Sequence, residues 1–126
     1  MRILIIILSI LFSHVSLACY APRAGQEFDD LIKLEKLSGS NKYRVTVPRK
    51  LEDLNDPRIA IAYTKNGITT YEDDELLVPS FTPATASAEF TLEQNGKGKP
   101  YISVSWSPKK CCPCGIHAKT KYIDIE

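Results

Sequence analysis

Histidine is scarce in this chain. There are two, His14 and His117, and the first lies within an export signal. Any Ser-His-Asp hydrolase would therefore have one base to build on. Charge of one sign is also missing. Sixteen Lys and Arg face fifteen Asp and Glu, and Arg2 belongs to the export signal, so the remainder balances. A balanced chain lacks the field that gathers nucleic acid, and no nucleic-acid partner is expected. The glycines fall in turns, not in a phosphate-cradling loop. The apolar run over residues 3–12 is shorter than the roughly 20 residues of a membrane-spanning helix. The antibody-type Cys…Trp…Cys spacing is absent as well.

What is present begins with that signal. Met1-Arg2 is a basic start, residues 3–12 are apolar apart from Ser9, and Ser16-Leu17-Ala18 offers small side chains for cleavage. Residues 1–18 read as a signal peptide and residues 19–126 as a single β-rich domain, with export to the periplasm, cell surface or medium. Cys19 comes directly after the signal. A lipid-bearing cysteine is the alternative there, although Ser16 stands where lipoprotein signals carry a leucine-like residue. A membrane association is expected only if Cys19 is acylated.

From Tyr43 the chain reads as strands. Residues 43–47, 58–64, 86–92 and 101–106 alternate apolar and polar, the period of a half-buried strand. Asn66-Gly67 suits a tight hairpin turn, with residues 68–71 returning. Asn95-Gly96 reads as a second hairpin-like turn. Residues 76–78 read as a short buried segment, and residues 121–125 as the closing strand. About seven short strands predict an all-β fold, a small antiparallel β-sandwich or open barrel.

Residues 27–37 read two ways. Phe28, Leu31 and Ile32 fit one face of a short N-terminal helix. Alternatively, residues 31–37 form a strand that turns at Ser38-Gly39-Ser40-Asn41 and pairs with residues 43–47. The turn composition favours the hairpin.

The chemistry-bearing motif is Cys111-Cys112-Pro113-Cys114, with His117 close behind. Together with Cys19 it makes an even number of thiols in an exported chain, the pattern of structural disulfides. A vicinal Cys111–Cys112 bridge and a Cys112–Cys114 bridge both sit poorly with disulfide geometry. Cys19–Cys112 with Cys111–Cys114 satisfies all four. A second reading is a metal site, zinc or copper held by Cys111, Cys112, Cys114 and His117. Only Cys111 and Cys114 have the usual zinc spacing, and no second cysteine pair exists. A third reading is thiol–disulfide exchange through Cys-x-Pro-Cys, but no βαβ frame surrounds the motif. Haem attachment fails because Gly115 stands where a histidine is required.

Weaker candidates remain. Ser103 or Ser105 could partner His117, but both fit the polar face of a strand. Glu72-Asp73-Asp74-Glu75 lacks the calcium-loop spacing. Trp106, Tyr101, Tyr63 and Tyr71 could make a sugar or peptide platform, although strand aromatics are more often core. The expectation is an exported, non-catalytic binding or structural module, stabilised by disulfides and needing no cofactor, with an unknown protein or small ligand as partner. Zinc or copper binding is the alternative, and thiol–disulfide oxidoreduction comes third.

Overall fold

The computed structural model describes residues 22–39, 41–108 and 115–125. The expected signal at 1–18, Cys19, Cys111, Cys112 and Cys114 lie outside the described residues. The fold is all-β and antiparallel, as the alternation predicts.

In chain order the elements are α1 (Gln26–Asp29), β1 (Lys33–Lys36), β2 (Lys42–Pro48), β3 (Lys50–Leu51), β4 (Leu54–Asn55) and β5 (Arg58–Lys65). Next come β6 (Ile68–Thr69), β7 (Glu75–Leu76), β8 (Ser80–Phe81), β9 (Thr85–Thr91), β10 (Lys99–Trp106) and β11 (Ile116–Lys119). One sheet runs β1-β2-β9-β8. The other runs β11-β10-β5-β6, with β7 also paired to β5. A two-stranded ribbon, β3-β4, lies between β2 and β5 in the chain.

Alternation places the core. Tyr43, Val45 and Val47 of β2 and Ala86, Ala88 and Phe90 of β9 point inward from one sheet. Ile59, Ile61 and Tyr63 of β5, Ile102, Val104 and Trp106 of β10, and Ile116 and Ala118 of β11 meet them from the other. Apolar faces of two sheets thus close on one another, the arrangement of a sandwich. The Trp106 indole is fully buried and donates from Nε1 to the Pro48 carbonyl at 2.9 Å. That bond satisfies the one polar atom such a ring carries inward.

Both readings of residues 27–37 contain part of the answer. α1 is a single turn, and the hairpin comes after it: Lys36 pairs with Tyr43 and Lys33 with Thr46. The Asn66-Gly67 turn is a two-residue hairpin loop between Lys65 and Ile68, with φ of 52° and 75° at its two residues. Positive φ at both central positions is what a tight hairpin needs to match strand twist.

Four expectations are corrected. Asn95-Gly96 does not close a hairpin, because β9 and β10 belong to different sheets. The turn carries a crossover, with Asn95 Oδ1 accepting from Lys97 N at 3.0 Å. The last regular strand is β11 rather than residues 121–125, although Ile123 N still donates to the Pro100 carbonyl and Ile123 and Ile125 pack on the core. The returning strand after Gly67 is only β6, since the chain turns at Tyr71–Asp73 into a 3-10 helix. Residues 76–78 are not a buried segment: Leu76 is 58% and Val78 92% exposed. Leu77 between them is half-buried, packs on the core and donates from its N to the Ile59 carbonyl at 3.0 Å, as the chain passes from β7, at the edge of one sheet, to β8 at the edge of the other.

Candidate functional site

The outward face of the five-stranded sheet holds the polar chemistry. On β10 the inward residues Ile102, Val104 and Trp106 alternate with outward Tyr101, Ser103 and Ser105. On β11, Ile116 and Ala118 turn inward while His117 and Lys119 turn outward. Beyond β11 the chain leaves regular pairing and carries Tyr122 back beside Tyr101. The two rings meet edge to face, 5.8 Å between centroids and 86° between planes.

The N-terminal segment docks on the same edge. Arg23 bridges Ile116 in parallel: Arg23 N donates to the Gly115 carbonyl at 2.9 Å and His117 N to the Arg23 carbonyl at 2.8 Å. The Asp29 carboxylate accepts from Lys119 N at 2.9 Å, which fixes α1 against β11. Arg23 also pairs with Glu52 and lies 5.8 Å from the Phe28 ring centroid. These contacts raise one wall beside the sheet face. Between that wall, Tyr101, Tyr122 and the β5–β6 hairpin lies an open groove of about 1090 Å³.

No known family model matches the chain, and no curated protein or solved structure matches it either. The chemistry of this face therefore rests on its own geometry.

Two of the weaker sequence candidates do meet. Ser103 Oγ and His117 Nε2 are 2.8 Å apart across β10 and β11. His117 is a half-buried residue of β11. Its pKa lies below the ordinary imidazole value, first because burial disfavours the cation and then because Lys119 repels it; Asp29 opposes both. A neutral imidazole beside a hydroxyl is a nucleophile–base pair in outline. An acyl-transfer site also needs backbone donors aimed at the developing oxyanion. β10 is paired on both sides, to β5 and β11, so the amides around Ser103 are committed to the sheet ladders. The pair reads as a cross-strand hydrogen bond that satisfies two half-buried polar groups.

The aromatic platform is rearranged relative to expectation. Trp106 and Tyr63 are core residues. Tyr101 remains outward, and its partner is Tyr122, 53% exposed, which the sequence pattern places on a strand without marking it as a site. Of the acidic run, Glu75 accepts from Lys97 Nζ at 2.9 Å and from the Tyr63 hydroxyl at 3.3 Å. These are structural ties at the crossover. Burial raises the Asp74 carboxyl, against the pull of Arg58. Of the four residues considered for a metal, only His117 is described. No group of three metal-ligating side chains occurs among the described residues. No described helix is long and apolar enough to cross a membrane.

Proposed function

We propose that this chain is an exported, non-catalytic binding module that presents the outward face of its five-stranded sheet to a ligand. The observation that carries the reading is the groove of about 1090 Å³ on that face. Its lining joins the exposed Tyr122 and the outward Thr69 and Tyr101 to Ile32, Leu34 and Ile123, which also pack on the core. Sites for small ligands are concave and combine aromatic surface with a few fixed polar groups.

We propose further that a disulfide joins Cys19 to the Cys111–Cys114 cluster. The support lies in neighbouring backbone. Cys19 is four residues ahead of Arg23, Cys112 is four ahead of Ile116, and Arg23 and Ile116 form a parallel bridge. That contact brings the segment after Cys19 beside the segment after the cluster, which suits a link between them; Cys19–Cys112 with Cys111–Cys114 closes the count. Such a link would clamp the segment that walls the groove.

Two measurements test the reading. Intact mass of the protein from its native host should begin at Cys19 and rise by four hydrogens on reduction. A heavy acylated N-terminus would make it a lipoprotein instead. A native-only increment of zinc or copper over unbridged thiols would replace the disulfides with a metal site. Thermal shift against neutral oligosaccharides, short peptides and nucleosides should show stabilisation by one class. That shift should vanish when Thr69→Trp fills the groove. No shift from any class overturns the binding module.

A further inference from the structure

We infer that the groove is a site for a neutral oligosaccharide, with Tyr122 as its stacking platform; this rests on the binding-module reading above. Its size is the first argument. About 1090 Å³ stands at the upper end of the roughly 300–1,000 Å³ of small-molecule sites, and the groove is open, so it suits a chain laid along it. Charge is the second. The lining holds Asp29 and Asp30 against Lys119 and Lys121, which cancel. A site for an ionic ligand would carry one sign.

The polar groups fit hydroxyl ligands and are held in place. The Thr64 and Thr69 hydroxyls lie 3.1 Å apart, and Gln26 Nε2 donates to Asp30 Oδ1 at 2.8 Å. Hydroxyl, amide and carboxylate groups can each bond a sugar hydroxyl, which both donates and accepts. Tyr122 supplies the apolar half of the recognition. The residue is 53% exposed, its ring meets Tyr101 edge to face, and Lys99 Nζ lies over the ring 5.8 Å from its centroid. The C–H face of a pyranose would cover exposed surface of this residue.

An extended peptide fits less well. Peptides added to sheets bond to a free edge. Thr64 and Tyr101 lie on β5 and β10, which are paired on both sides, and the outer side of β11 is met by Arg23; the edge strands β6 and β1, which give Thr69 and Leu34 to the lining, are the reason a peptide is included in the test.

The test is calorimetric titration of the full secreted protein with hexasaccharides of β-1,4-glucose, α-1,4-glucose and β-1,4-N-acetylglucosamine, and with hexa-alanine. One hexasaccharide should bind. Tyr122→Ala should weaken it about tenfold, as loss of a stacked ring does, and Thr69→Val about fivefold, as loss of one hydrogen bond does. Tyr122 is exposed, so melting of Tyr122→Ala reports separately that the fold is intact. Binding undiminished in a folded Tyr122→Ala overturns the platform. Binding of hexa-alanine and no saccharide overturns the inference and leaves the binding module standing. No binding to any hexasaccharide at millimolar concentration overturns the inference, and the wider ligand screen then decides the parent reading.

Discussion

At the scale of single residues, the outward and inward faces of β10 make opposite predictions. Trp106 is fully buried and bonded to Pro48. Trp106→Phe removes volume and leaves a half-buried carbonyl without its donor, and should cost about 2–4 kcal/mol in urea unfolding. It is also the one tryptophan of the chain, so native emission should be blue-shifted and should move red on unfolding. Outward, His117 titrates. Its folded pKa is lowered from 6.5, so the unfolded chain takes up its proton first. The unfolded state then binds more protons, and stability rises with pH. The contribution is complete above about pH 6.5 and is lost as pH falls towards the folded value. Unfolding free energy measured from pH 7.5 down to 5 should decline in the parent. His117→Gln keeps a hydrogen-bonding group near Ser103 and should flatten that decline. An unchanged slope would mean that other groups set it.

At the scale of elements, strands with full alternation were legible and their connections were only partly so. β2, β5, β9 and β10 each set several large apolar residues against polar ones, and a period of two has one solution on a packed sheet. β11 was not legible. Ile116-His117-Ala118-Lys119 offers two inward residues, one of them alanine, directly behind a cysteine cluster. Residues 121–125 resemble a strand because Ile123 and Ile125 do reach the core. The groove was hidden for a different reason: α1, the β5–β6 hairpin, Tyr101 and the tail meet only in three dimensions. The two Asn-Gly turns show where local chemistry stops. Both have Gly at φ 75°, yet one closes a hairpin and the other leads into a crossover. The surroundings of the chain at each turn separate them. Gly98, φ +120°, lies against β5, and a Cβ there would sit 2.4 Å from the Thr64 carbonyl oxygen; at Gly67 a Cβ meets nothing within 4 Å. Gly67→Ala should therefore cost about 1 kcal/mol, the backbone penalty alone. Gly98→Ala should cost about 3 kcal/mol or more, because sheet backbone must also move. Equal losses in the two variants would show that the crossover does not press on β5.

At the scale of the whole molecule, the two sheets share one core, but the wall of the groove hangs on an edge. α1 is one turn long, too short to hold itself, and it is fixed by Arg23 on Gly115 and His117 and by Asp29 on Lys119. A covalent link just upstream of Arg23 would shorten the loop that those bonds must close and so lower its entropic cost. A Cys19–Cys112 bridge closes a loop that spans almost the whole domain, which by the chain-entropy account contributes about 4 kcal/mol. Reduction of the native protein should lower its unfolding free energy by that order. Cys19→Ser should lose a similar amount, and reductant should then add only the smaller effect of the short Cys111–Cys114 loop. Hydrogen exchange separates a local from a global role: in Cys19→Ser the amides of His117 and Lys119, which bond to the docked segment, should lose protection before those of β10. If reduction leaves both stability and exchange unchanged, the tether does not exist, and the docking of α1 rests on its hydrogen bonds alone.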